Sequence, residues 1–252
     1  MTQPRLLIVT SCTGEKKYKP ENQLTLKDFE DRKRLAKGEK KLAQSMCTAG
    51  EMYTGMQHLR LMEGVNLLRQ SLGKEAVDLN ILSAGYGLIP EDRAIAPYEV
   101  TFNGMKGHEV DAWSKHLGIH TAFEKAVREY DLVFLLLGEN YLRSLALPIS
   151  TRSDQTFIFL ASPSSMRWIG DLDAKTFILP LSNSDAKQYR YGLVGLKGFL
   201  FKKFAEVAAK DANWFAKVYD TPEYFEEAIA YVTGTVAGGK QFELSLGIAS
   251  VS

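Results

Sequence analysis

The feature that most restricts the fold is Leu132-Val133-Phe134-Leu135-Leu136-Leu137, an uninterrupted apolar run between Asp131 and Gly138. A strand that is apolar at every position must be covered on both faces, and a parallel sheet flanked by helices provides that cover. The run is therefore expected to be central. Leu6-Leu7-Ile8-Val9, Asp78 to Ala84 and Gln155 to Ala161 are further apolar β-type runs. Between them, Met46 to Leu72, Ala112 to Tyr130 and Gly192 to Ala209 carry apolar residues at three- and four-residue spacing, the mark of amphipathic helices. Strands alternating with helices predict an α/β fold: a three-layer αβα, Rossmann-like domain with a mostly parallel central sheet. Pro180, within Thr176 to Leu181, predicts an edge strand or an early stop there. The expected organisation is a single α/β domain over 1–252, with a charged insertion over 15–41 and a helical extension over 206–252.

Composition excludes several classes. Lys+Arg 31 against Asp+Glu 30 leaves a net charge of +1, so no global basic field points to a nucleic acid. Such a partner would have to be met by a local patch. The segment from Glu15 to Lys41, with Lys16-Lys17 and Arg32-Lys33-Arg34, reads first as a solvated, partly helical face and in the alternative as a phosphate-contacting patch. Cys12 and Cys47 lack metal-ligand spacing and the four histidines are scattered, so no metal site and no disulfide is expected. The first ten residues lack a secretory pattern, and no apolar run approaches the roughly 20 residues of a membrane span, which predicts a cytoplasmic protein.

In α/β sheets, ligands bind at the carboxyl ends of the strands. Four loops fall there: Ser11-Cys12-Thr13-Gly14-Glu15, the long stretch from Gly85 to Gly104, Gly138-Glu139-Asn140, and Ser162-Pro163-Ser164-Ser165-Met166-Arg167-Trp168. The first has no glycine-rich phosphate fingerprint, which argues against dinucleotide binding. Each loop also has a purely structural reading: Pro-Ser-Ser as turn punctuation, Asp92 as a turn residue, Glu99 as an ion-pair partner, the tyrosines as core.

Ser11-Cys12 with Lys16, Met52-Tyr53, Ser83-Ala84-Gly85-Tyr86-Gly87-Leu88 and Pro97-Tyr98-Glu99 resemble, in that order, a bacterial and phage domain family. It is related to the domain attached to archaeal tRNA base-exchange enzymes. The likeness runs over roughly residues 6 to 170, and that family in turn resembles the uracil-DNA glycosylase superfamily. Leu132 to Gly138 followed by a helix is similar to the superfamily's third strand, and Leu160 to Arg167 is similar to its last motif. The resemblance implies that Pro163, Ser164 and Ser165 contact the DNA backbone while Met166, Arg167 or Trp168 fills the gap left by a flipped base. One departure concerns the first loop, where the superfamily offers an aspartate or asparagine and this chain has Ser11-Cys12-Thr13-Gly14, with Glu15 the nearest carboxylate.

Cleaving an N-glycosidic bond develops oxocarbenium character on the sugar, so a carboxylate, a held water and donors to the departing base are required. Glu15, Asp92 and Glu99 are the candidate catalytic carboxylates. Ser11, Cys12, Tyr86, Tyr98, Asn103 and Asn140 are the candidate base pocket, and Lys16 and Lys17 join the 163–168 loop as candidate DNA contacts. The activity that the resemblance implies is a DNA glycosylase that flips out and hydrolyses a modified base from duplex DNA, in an anti-phage setting and with no cofactor. Two alternatives stay open: an N-ribosyl hydrolase or transferase acting on a small nucleoside or nucleotide, and a non-catalytic nucleic-acid-binding stress module.

Overall fold

A computed structural model describes residues 4–235 of the chain. Six strands form the main sheet: β1 (Leu6–Ser11), β2 (Val77–Ser83), β3 (Gly87–Pro90), β4 (Leu132–Leu136), β5 (Thr156–Ala161) and β6 (Lys175–Pro180). Their order across the sheet is β6-β5-β4-β1-β2-β3. All neighbours are parallel except the β2–β3 hairpin. The apolar run at Leu132–Leu136 is buried at every position and lies inside the sheet, as its composition requires. Pro180 closes β6 at the sheet edge, where a missing N–H breaks no outer ladder.

The order has one reversal. From β1 the chain goes to β2 on one side and then, after the β3 hairpin, crosses to β4 on the other side of β1. The loops leaving β1 and β4 therefore diverge and open a crevice at the strands' carboxyl ends. Register keeps those ends level, with Thr10 opposite both Ile81 and Leu136, and Leu135 opposite Phe159.

The helices fall into two groups. Helix α1 (Met56–Leu72) packs against α5 (Leu193–Ala208), which also meets α6 (Asn213–Asp220) and α7 (Tyr224–Thr233). Helices α2 (Gly107–His116), α3 (Ile119–Val127) and α4 (Glu139–Ser144) form the second group. The first group is sealed to the sheet by aromatics: Phe134 of β4 lies 5.4 Å from Phe201, 5.6 Å from Phe204 and 5.1 Å from Phe225, centroid to centroid. Each such ring contributes roughly 1.5–3 kcal/mol by burial. Helices α1 and α5 run close together because Gly64 and Gly198 leave room; a Cβ on Gly198 would collide with the Gln57 carbonyl.

Three sequence expectations change. The helix expected from Met46 begins at Met56, because Cys47–Thr48 instead pairs with Ala94–Ile95 and Thr54 and Gly55 hydrogen-bond to the β1 loop. The helix expected from Ala112 to Tyr130 breaks at Gly118, whose φ of 65° only glycine adopts cheaply. The charged segment 15–41 is less solvated than its composition suggests. It does contain the helix Arg32–Lys41, which buries no residue fully, but it also buries Leu24 and Phe29, and Phe29 sets its ring edge-on to Tyr86 and Tyr98. The expected extension over 206–252 is helical in α6 and α7; its last part, 236–252, lies outside the described residues.

Candidate active site

At the reversal between β1 and β4 lies a cavity of about 600 Å³, within the range of small-molecule sites. Its wall is built from Ser11 to Glu15 after β1, Thr54 to Gln57 at the start of α1, Gly138 and Tyr141 after β4, Ser162 after β5, and Leu181 after β6. Asn103 and three residues of α5, Leu193, Val194 and Lys197, complete it. Small residues at the strand ends let the chain turn tightly, so side chains from four strands meet around one space.

Two charges face this space. Among the described residues of its wall, Glu15 is the one carboxylate and Lys197 the one lysine. Glu15 is exposed, and its loop is pinned by backbone bonds: the Glu15 carbonyl accepts from Thr13 Oγ1 at 2.8 Å and from the Thr54 amide at 3.1 Å. Its carboxylate itself is engaged by no other described residue. Lys197 donates to the Leu137 carbonyl, and enclosure of its ammonium pushes the pKa down to about 8. Desolvation is the cause, since burial disfavours the charged form of a lysine with no counter-charge beside it. Gln57 is held between the two helix-sheet layers, its Nε2 donating to Thr10 Oγ1 at 3.1 Å and to the Leu136 carbonyl at 3.0 Å.

Behind the cavity lies a buried polar cluster. Tyr98 Oη is 2.8 Å from Tyr53 Oη and 2.7 Å from Ser83 Oγ, whose oxygen also accepts from the Gly85 and Tyr86 amides. Cys12 Sγ lies 3.1 Å from Tyr141 Oη, and both residues reach the cavity wall. Burial drives the Tyr53, Tyr98 and Tyr141 hydroxyls well above their ordinary pKa, so they act as neutral donors. Lys16 is buried against this cluster, its Nζ 4.4 Å from the Tyr98 ring centre and 3.3 Å from the Thr13 carbonyl; burial lowers its pKa. It braces the Thr13–Glu15 loop from beneath.

The loop after β5 winds into a 3₁₀ helix over Pro163–Trp168 and is tied inward. Ser164 Oγ donates to Glu139 at 2.8 Å and Arg167 pairs with the same carboxylate. These donors, Ser164 first, hold the Glu139 pKa below the usual range. The guanidinium groups of Arg143 and Arg167 both lie over the Trp168 ring, at 4.5 and 5.2 Å from its centre. Met166 is left exposed.

Residues 35–168, just over half of the chain, match a Family of unknown function (DUF6884). The chain belongs to that family. No curated protein matches it. In this DUF6884 member the matched span supplies Thr54 to Gln57, Asn103, Gly138, Tyr141 and Ser162 to the cavity, whereas the β1 loop with Glu15 and helix α5 with Lys197 lie outside it.

The expected site residues separate cleanly in the DUF6884 fold. Ser11, Cys12, Glu15 and Asn103 line the cavity. Asn140 does not; its Nδ2 donates to the Phe102 carbonyl at 2.9 Å and so positions Asn103 from behind. Tyr86 and Tyr98 are not pocket walls but buried structure: Tyr86 Oη accepts from the Ala96 amide at 3.1 Å, and Tyr98 is wholly enclosed. Asp92 is exposed in the turn after β3, and β3 runs antiparallel to β2, with Pro90 opposite Asn80, which carries Asp92 away from the carboxyl ends of the parallel strands. Glu99 is exposed in a two-residue ladder with Leu24–Thr25 and accepts from Gln23 Nε2 at 3.3 Å, off the cavity wall. Lys17 is exposed but paired with Glu51 at 3.1 Å, which raises its pKa. Of Pro163 to Trp168, Ser165 is buried, Trp168 is packed, and Ser164 and Arg167 are paired with Glu139, which leaves Pro163 and Met166 as the exposed apolar residues of the loop.

Sequence reading alone passes over Gln57 and Lys197. A signal for Lys197 exists: it precedes Phe201 by four residues, Phe204 by seven and Ala208 by eleven, the spacing of one helix face, and all three are buried. A lysine on the buried stripe of a helix needs a reason to be there.

Proposed function

We propose that the protein is an N-glycosyl hydrolase with a uracil-DNA glycosylase-like αβα fold, which excises a modified base from DNA, in a defence setting against phage. The observation that carries this reading is Glu15, the one carboxylate that the described residues bring to the wall of the cavity, on the loop after β1 with Asn103, Gln57 and Tyr141 around the same space. A carboxylate next to neutral donors is what an oxocarbenium-like transition state and a departing base ask for. Glu15 would orient water toward the sugar carbon, while Asn103 and the Tyr141 hydroxyl hydrogen-bond the base. Met166, exposed four residues beyond the cavity-lining Ser162, is the side chain suited to occupy the stack. The reaction as written needs no cofactor.

The test is release of free base from duplexes carrying normal, deaminated, hydroxymethylated or glucosylated bases, read by chromatography and by alkali cleavage at abasic sites. Glu15→Gln is expected to lower the rate by at least about 100-fold, the size of a lost acid-base residue, with folding intact. Equal rates for Glu15→Gln and the native chain would remove Glu15 from the chemistry.

A second reading, hydrolysis of a free nucleoside or nucleotide, is favoured by the pairing of Lys17 with Glu51 and of Arg167 with Glu139, which takes two of the expected duplex contacts into ion pairs within the protein. Base release from mononucleotides with none from duplexes would select it.

A further inference from the structure

The two long helices α1 and α5 both begin at the cavity, with glycine N-caps, Gly55 and Gly192, that offer no side-chain acceptor. First-turn amides have no acceptor inside their own helix, and those of Met56, Gln57, Leu193 and Val194 find none in the rest of the described backbone either. All four residues line the cavity, so the positive ends of a 17-residue and a 16-residue helix converge on one space. Lys197 stands on that same wall. One turn inside α5, its side chain leans back toward the helix N-terminus, and it is half-buried, with Nζ donating to the Leu137 carbonyl. A protonated lysine has three donors and one is spent on Leu137, which leaves two for a ligand. No described carboxylate forms an ion pair with it; Lys202 and Lys203, on the same helix, are both paired with glutamates. An ammonium with no ion-pair partner among the described residues, beside two uncapped helix starts, is a concentration of positive potential, with Glu15 as the one opposite charge that the described residues bring to the same cavity wall.

We propose that this corner of the cavity binds a phosphate group of the substrate, held by Lys197 and the first-turn amides of α1 and α5. The rest of the ligand rests on the N-glycosidase reading: with Glu15 on the β1 loop serving the sugar, the phosphate belongs to the same nucleotide. The substrate class is then a nucleotide unit, either free or within a strand, rather than a nucleoside.

Calorimetric titration of the full chain with inorganic phosphate at fixed ionic strength tests the site itself, before any base or sugar is present. Binding in the millimolar range is expected, at least tenfold weaker in Lys197→Met and Lys197→Gln and substantially retained in Lys197→Arg, with circular dichroism to establish folding of each. Titration with deoxynucleosides and their 5′-monophosphates follows, where the phosphate is expected to strengthen native binding at least tenfold and to add nothing in Lys197→Met. A single-stranded oligonucleotide that competes with phosphate would assign the group to a strand, and its failure to compete would assign it to a free nucleotide. Equal phosphate affinity in the native chain and Lys197→Met, or no measurable phosphate binding to the folded native chain, overturns the proposal. Phosphate binding through Lys197 with no base release from any substrate would leave the anion site standing and overturn the glycosidase reading.

Discussion

Lys197 sets the sharpest expectation at the scale of a residue. Its folded-state pKa, about 8, lies below its ordinary value of 10.5. Between those values the unfolded chain holds a proton that the folded chain has released, so stability rises with pH across about 8 to 10.5 and is lowest, from this group, below 8. Replacing it by methionine is expected to raise stability near neutral pH by about 1–3 kcal/mol, discounted for the surface it keeps toward the cavity, with the difference shrinking above pH 8. Thermal melts of both chains from pH 6 to 10 measure this; an unchanged or lowered melting temperature for Lys197→Met would mean that its ammonium is not under strain. The titratable neighbours on the cavity wall are Glu15, Cys12 and Tyr141, so the profile should be repeated in Glu15→Gln to separate the two charges. A residue that lowers stability where it stands is what a binding role predicts. Asp92, Glu99, Tyr86 and Tyr98 teach the converse. Each has the right chemistry for a site, but a side chain's chemistry is local, and its distance from the other groups is not.

At the scale of elements, the contact between α1 and α5 places the site. Gly198 faces the Gln57 carbonyl, one turn from the cavity, and Gln57 in turn holds Thr10 and Leu136 at the ends of β1 and β4. Gly198→Ala should push the helices apart and lower stability by about 1–3 kcal/mol. Gly192→Ala, where a Cβ meets nothing, should change it little. Urea unfolding of both variants checks the pair, and a gain in Gly198→Ala would show that alanine's higher helix propensity outweighs the close approach. Strand composition was legible at this scale: apolar runs at Leu132–Leu136 and Thr156–Ala161 announced buried parallel strands, and Pro180 announced an edge. Helix starts were not. Periodicity through Met46 to Leu72 counts Met52 and Met56 alike, yet Met52 is core and Met56 is an exposed cavity wall, because hydrogen bonds from a loop forty residues earlier end the regular spacing.

At the scale of the whole molecule, a net charge of +1 and the pairing of Lys17 and Arg167 limit how much of any affinity for DNA can be electrostatic. The logarithm of a duplex binding constant should therefore fall with the logarithm of salt at a slope below about 3, against about 0.9 for each phosphate neutralised. A steeper slope would point to a basic surface that these pairs do not describe. What the sequence by itself determined is the class: an α/β chain whose wholly apolar strands require helices on both sides, because burial follows from composition and period. Only the tertiary structure decided which loops meet. The antiparallel return of β3 removes Asp92 from the parallel strand ends, the ladder at Leu24–Thr25 takes Glu99 off the cavity wall, and α5, far along the chain, brings Lys197 to Glu15's cavity. Those placements depend on strand order and helix packing, which arise from contacts between residues distant in sequence, and no local pattern of side chains encodes them.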